Sequence, residues 1–168
     1  MKLIEKIKEN SQWNKFKKSY EKLVNMKKFE ECIELCKSKL DNFNNIYYID
    51  YLYTYMCYSF MCMDDVKSFI DTKDKIVGKQ QMLLPKYYEL LIILDQCSNT
   101  FNDRYADFTD INNRKNLGIG LTAYFVLKKE IDEIKLAIDG QKKLNKSTVN
   151  HIKKSNLPVL KRLFERVI

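Results

Sequence analysis

Residues 44–62 read NNIYYIDYLYTYMCYSFMC, and the fold class depends on how this stretch is interpreted. Residues 51–55 alternate like a strand, but the chain holds no Gly, no Pro and no turn pair over residues 46–63. That run corresponds to about five helical turns and is much longer than a usual strand. The sequence therefore predicts a helix over residues 46–63.

Side chains on this helix separate into two adjoining stripes. The first stripe is apolar and is predicted to be core: Ile46, Ile49, Tyr53, Met56, Cys57, Phe60 and Met63. The second stripe is interpreted as a partner-binding surface: Tyr48, Tyr51, Tyr55 and Tyr58. Tyrosine offers a large contact area at low entropic cost, so binding hot spots are rich in it. We expect at least two of Tyr51, Tyr55 and Tyr58 to be partly exposed; the alternative is that all three are buried with hydrogen-bonded hydroxyls.

The rest of the chain is also typical of helices. With 168 residues, 45% hydrophobic residues, 4 Gly and 2 Pro, it is long enough for a core and poor in turns. Apolar residues at three- and four-residue steps predict further helices at these positions: 11–26, 29–40, a start after Asp64-Asp65, a start at Pro85, a short one around Tyr105, 117–138, a start at Ser147 and a start at Pro158. The sequence thus predicts one all-α domain over residues 1–168, with about eight helices.

Part of this pattern is repeated. Residues 13–40 place Phe16 early in one helix and Leu23 near its end, and FEECI follows at residues 29–33. MDDV at residues 63–66 lies 34 residues beyond FEEC. The pattern resembles a degenerate tetratricopeptide repeat (TPR) over about residues 13–76. This resemblance implies TPR-like stacked hairpins over residues 11–114. Their concave face would lie near the tyrosine row and hold a peptide or partner helix. Residues 115–168 then form a basic C-terminal helical cap.

Charge is distributed unevenly within a net +8. Residues 1–28 carry nine Lys and three acidic residues (+6), residues 29–127 carry ten basic and fourteen acidic (−4), and residues 128–168 carry eleven basic and five acidic (+6). We predict that any polyanion binding uses the C-terminal cluster: Lys142, Lys143, Lys146, Lys153, Lys154, Lys161, Arg162 and Arg166. If the tyrosines and the basic residues lie on one face, nucleic-acid binding is favoured. If they lie on opposite faces, a protein partner is favoured.

Signals of catalysis and metal binding are weak. The five cysteines are an odd number, and the start MKLIEKIKEN lacks the apolar core of a signal peptide, so we expect a cytoplasmic protein with mostly buried free thiols. Four of them could approach each other, but they lie within apolar stripes, and His151 is the single histidine. We predict no metal, no cofactor and no catalytic residue. The apolar run at 117–127 is about half as long as a membrane span requires and is predicted to be a buried helix.

These observations favour a non-enzymatic module that binds a protein or peptide, as an inhibitor or scaffold of a larger complex, without membrane contact. The alternative is a small basic helical protein that binds nucleic acid. A Lys- and Asn-rich chain of this kind would also suit a phage or mobile element.

Overall fold

A computed structural model describes residues 2–78, 80–110 and 120–168. Within these ranges the chain forms nine α-helices and no strand, which confirms the predicted all-α class. The helices are α1 (Leu3–Asn25), α2 (Phe29–Lys39), α3 (Ile46–Cys62), α4 (Val66–Lys73), α5 (Leu83–Asp95), α6 (Phe101–Phe108), α7 (Gly120–Ile138), α8 (Lys146–Lys154) and α9 (Pro158–Val167). The predicted segment boundary at 114/115 and the predicted start of the long helix at 117 lie outside the described residues.

The first six helices form three consecutive hairpins whose turns share one geometry. Each turn passes through a non-glycine residue with positive φ, at Lys27 (55°), Asp64 (59°) and Cys97 (52°). At each turn, the amide of the positive-φ residue donates a hydrogen bond to the carbonyl three residues earlier. The amide of the following residue donates to the carbonyl five residues earlier, as in a Schellman motif. The 34-residue period of the sequence predicts the first two turns but not the third, because Cys97 and its neighbours carry no aromatic or acidic motif.

The helices pack mainly on their neighbours in the chain. Helix α3 contacts α2, α4 and α5, so it lies at the centre of the hairpins. Helix α9 returns to contact α3, α5, α7 and α8, so the C-terminal helices cover one end of the hairpins.

The predicted core stripe of α3 is partly wrong. Ile46 and Met63 are exposed, and Ile49 and Tyr53 are only half-buried. The buried positions on α3 are Asp50, Leu52, Thr54, Met56, Cys57, Ser59, Phe60, Met61 and Cys62. Because α2, α4 and α5 all pack on α3, its buried sector is wider than a single stripe and includes polar residues.

Two helix starts also differ from the predictions. Helix α1 begins at Leu3 rather than at Ser11, and at this earlier start the Lys2 amide donates to the Glu5 carboxylate at 3.3 Å. Helix α8 begins at Lys146 with Asn145 as its N-cap residue, two positions before the predicted cap at Ser147. The additional turns of α1 leave Leu3, Ile4 and Ile7 exposed.

Candidate functional site

The chain leading into α5 is held in place by a buried carboxylate of α3. Asp50 is 1% exposed, and its two oxygens accept hydrogen bonds from the amides of Val77 (3.0 Å) and Gly78 (2.7 Å). A Cβ atom at residue 78 would lie 2.7 Å from Asp50 Oδ2, so the close approach requires glycine. The Thr54 hydroxyl lies 3.3 Å from the Gln81 carbonyl and adds a second link from α3 to this connection. These contacts place the first turn of α5 beside the tyrosines of α3.

The tyrosines of α3 also pack against an aromatic face of α1. The ring of Tyr55 lies 4.5 Å from that of Tyr20, 5.9 Å from Phe16 and 6.0 Å from Trp13, between ring centroids. The Tyr20 hydroxyl donates to the Tyr55 carbonyl at 3.0 Å. One side of the Tyr55 ring therefore belongs to the packed interface of α1 and α3.

The other side of this row faces a groove between α1, α3 and α5. Tyr51, Tyr55 and Tyr58 are all partly exposed, which confirms the expectation for at least two of them. The groove has a volume of about 750 Å³, within the range of ligand-binding clefts. We call it the tyrosine groove, and its lining is Tyr20, Glu21, Val24, Asn25, Tyr51, Thr54, Tyr55, Tyr58, Leu84 and Tyr88.

An apolar depression of about 580 Å³ adjoins the groove and shares Tyr51, Thr54 and Leu84 with it. We call it the apolar shelf. Its far side is formed by α7, through Ala123, Val126 and Leu127. The prediction that this part of α7 is a buried helix is wrong. Phe125 is 52% and Val126 61% exposed, because α7 buries its opposite face, which includes Tyr124, Ile131 and Ile134.

A third depression, of about 310 Å³, shares Tyr58, Leu84 and Tyr88 with the groove. We call this depression the polar corner. Its polar side lies at the end of α8 and is formed by His151, Lys154, Ser155 and Asn156. The amide nitrogen of Asn156 donates to the Tyr58 hydroxyl at 3.2 Å, which joins this corner to the tyrosine row. All three depressions include Leu84, which is 37% exposed and forms their common point.

Burial makes the groove hydroxyls harder to ionise. It raises the pKa of Tyr51 to about 12, with the Tyr47 hydroxyl at 3.3 Å adding to the effect. It also raises the pKa of Tyr58 to about 12, and raises that of Tyr55. The three hydroxyls are therefore neutral near pH 7 and act as hydrogen-bond donors and acceptors rather than as charges.

Tyr48, the fourth predicted binding tyrosine, does not line the groove. Its ring packs 4.9 Å from Trp13 and 5.3 Å from Phe43, and its hydroxyl donates to Asn10. Three further lining residues were not predicted from the sequence: Tyr20, Leu84 and Tyr88. Helical periodicity can identify their apolar faces, but nothing in the sequence shows that these faces border a shared depression.

The predicted polyanion-binding residues divide into two groups. Lys142, Lys143, Lys146, Lys153, Lys154 and Lys161 are exposed. Arg162 instead forms ion pairs within the chain, at 2.6 Å from Asp64 and 3.0 Å from Asp95. Arg166 donates to the carbonyls of Leu94 (3.0 Å) and Asp95 (3.2 Å). These two arginines hold α9 against the α3–α4 turn and the end of α5, and they are not part of a free basic surface.

Thiols and acidic groups of the described residues form no evident metal centre. Cys32, Cys36, Cys57 and Cys62 are buried, and burial raises the pKa of Cys57 to about 12 and that of Cys62 to about 11. Over the described ranges, no group of three or more His, Cys, Asp or Glu side chains is placed to hold a metal ion. Within the same ranges, none of the helices combines the length and apolarity needed to cross a bilayer.

Comparison with protein-family models, curated proteins and solved structures finds no match to this chain. The function must therefore be inferred from the geometry and chemistry of the tyrosine groove and its two neighbouring depressions.

Proposed function

We propose that this protein is a non-enzymatic interaction module that binds an apolar peptide segment of a partner protein in the tyrosine groove. The observation that carries this proposal is the row of three partly exposed tyrosines along a groove of about 750 Å³. Tyrosine rings that are held in place by packing on one side and open on the other offer contact area that is already ordered before binding.

The connected shape of the site favours a peptide over a small molecule. Tyr51 and Tyr58 are seven residues apart, about 10 Å along α3. That distance matches two turns of a bound helix or three residues of an extended strand. With the apolar shelf and the polar corner meeting it at Leu84, the groove offers separate places for successive side chains, as in helix-in-groove recognition.

The hairpin arrangement supports the same proposal. We propose that the three hairpins with matching turns are TPR-like units, stacked so that their first helices line the groove. Lining residues come from α1, α3 and α5, which are the first helices of the three pairs. In TPR-like modules the face made by the first helices holds a peptide or partner helix, and such binding would suit an inhibitor or scaffold.

The absence of an enzymatic role is part of the proposal. Its support is that the buried thiols have raised pKa values and that His151 Nδ1 lies 2.6 Å from Glu130, whose other oxygen is the acceptor of the Tyr87 hydroxyl. Glu130 and Tyr87 are buried, so this arrangement is well explained as a link that joins α8 to α7 and α5.

A random 12-residue peptide-display selection on the immobilised protein tests the proposal. Leu84→Asp places a charge where the three depressions meet, and Ile70→Asp is its matched control, because Ile70 is 42% exposed on α4 and lines none of them. We expect the wild type and Ile70→Asp to enrich the same apolar motif. We expect Leu84→Asp to bind a synthetic peptide of that motif at least about tenfold more weakly, as for a buried hot-spot contact.

Both substitutions are at exposed positions, so both variants should melt within a few degrees of the wild type. If no motif is enriched, or if Leu84→Asp and the wild type bind the motif equally well, the groove is not a peptide site.

Nucleic-acid binding through the exposed lysines is a second candidate. These lysines cluster on α8, on α9 and in the α7–α8 turn. Changing Lys142, Lys143, Lys153 and Lys154 together to Gln should leave the melting temperature nearly unchanged. Each lost phosphate contact should lower the salt slope of single-stranded DNA binding by about 0.7. An unchanged slope would argue against this candidate.

A further inference from the structure

The polar corner places the exposed ammonium group of Lys154 beside the groove. Resting on the function proposed above, we propose that the bound peptide carries an acidic side chain that contacts Lys154 in the polar corner while its apolar residues occupy the tyrosine groove.

Continuity between the two depressions is the first reason. Tyr58, Leu84 and Tyr88 line both the groove and the polar corner, so a peptide that lies on the tyrosine row reaches the corner without leaving the surface. Tyr58 is the last tyrosine of the row, and its hydroxyl contacts Asn156. The acidic residue should therefore lie within about two helical turns of the apolar anchors.

Charge is the second reason. Lys154 is exposed and makes no ion pair with any residue in the part of the chain that the structure describes. The carboxylate that contacts His151 of the corner belongs to Glu130, whose side chain is 7% exposed and whose oxygens are occupied by Tyr87 and His151. Lys154 therefore offers an ammonium without a carboxylate partner among the described residues, and a carboxylate is the group that forms charge-assisted hydrogen bonds with an ammonium.

The α1 side of the groove has the opposite sign. Glu21 lines the groove on α1, is exposed, and forms no ion pair within the described ranges. An acidic residue of the peptide would be repelled there and attracted at Lys154. The two charges thus set one preferred orientation of the bound segment across the groove, with its acidic residue on the side away from α1, which is a common use of electrostatic complementarity in interfaces.

The test begins with peptides from the display selection and uses fluorescence polarisation with labelled synthetic copies. We expect the enriched motif to combine apolar residues with Asp or Glu. Replacing that residue by its amide should weaken binding to the wild type by about two- to fivefold, as for an ion pair with an exposed lysine. Lys154→Gln should weaken binding of the acidic peptide by a similar factor and should not further weaken binding of the amide peptide, because the same contact is already lost.

Lys143→Gln is the matched control, because it removes the same charge from an exposed lysine that lines none of the three depressions. It should leave the affinity for the acidic peptide unchanged. In the charge-reversed pair, Lys154→Glu should prefer a peptide with Lys in place of the acidic residue. A 20-nucleotide single-stranded DNA should not displace the acidic peptide at equal concentration.

The outcomes separate this proposal from the one on which it rests. A motif that depends on Leu84 but has no acidic residue would overturn the charge preference and leave the groove as a peptide site. Equal losses in Lys154→Gln and Lys143→Gln, or displacement by DNA that depends on Lys154, would also overturn it. Failure to enrich any motif that depends on Leu84 would overturn both proposals.

Discussion

Tyr55→Ala should destabilise the protein as well as weaken binding, because the ring packs on α1 as well as facing the groove. Roughly 120 Å² of a partly buried tyrosine, at about 25 cal/mol per Å², corresponds to about 3 kcal/mol. For a chain of this size that loss lowers the melting temperature by about 6 to 12 °C. Thermal unfolding followed by far-UV circular dichroism measures the shift.

Two conservative variants separate the ring from its hydroxyl. The Tyr55 hydroxyl has no hydrogen-bond partner among the described residues, so Tyr55→Phe should change stability by less than about 0.5 kcal/mol. Tyr20→Phe should cost about 1 kcal/mol, because it removes the donor to the Tyr55 carbonyl. A melting temperature of Tyr55→Ala within 2 °C of the wild type would refute the account of this ring as part of the interface.

Three further predictions concern other parts of the structure. Gly78→Ala should cost about 2 to 3 kcal/mol in urea unfolding, because the new Cβ displaces the Asp50 carboxylate from its backbone donors. Arg162→Ala should cost about 1 to 2 kcal/mol, and Arg162→Lys should not restore the loss, because an ammonium cannot form the two-pronged contact to Asp64. In the native state iodoacetamide should modify Cys97 first, since the other four cysteines are buried.

Each of these predictions has a clear contrary result. Wild-type stability of Gly78→Ala would mean that the Asp50 contact does not hold the connection. Full recovery with Arg162→Lys would show that the charge alone matters. Alkylation of two or more cysteines at similar rates, found by mass spectrometry, would contradict the burial of the other four.

The sequence was sufficient for the class of fold and for the position of α3. Its uninterrupted run from residue 46 predicts a helix whether its faces are buried or exposed, since local spacing sets the backbone conformation. The turns at Lys27 and Asp64 were also predictable, because the short polar breaks interrupt the apolar periodicity.

Contacts between distant residues were not predictable in this way. Asp50 is an acidic residue that periodicity leaves unexplained, and its buried position makes sense only once Val77 and Gly78, 27 and 28 residues further on, supply two amide donors. The same limit applies to Arg162, which the local charge pattern groups with free lysines although its partner Asp64 is 98 residues away.

Of the four tyrosines predicted to bind a partner, Tyr51, Tyr55 and Tyr58 line the tyrosine groove and Tyr48 does not. All four lie on one side of α3, but Tyr48 packs against Trp13 and Phe43 at the first turn, whereas the three later tyrosines border the groove. The exposed face of α7 was missed for a related reason, because an apolar side chain such as Phe125 has the same sequence signature in a core and on a surface.

The contact between Asn156 and Tyr58 also bears on how the protein is made, because 98 residues of sequence separate its two ends. At a synthesis rate of about 5 to 20 residues per second, the ribosome needs roughly 5 to 20 seconds to extend the chain from one end to the other. During that interval the nascent chain already contains the tyrosines of α3 but not yet the helix that carries Lys154. The apolar wall of the groove is therefore translated well before the charged group that would select its ligand.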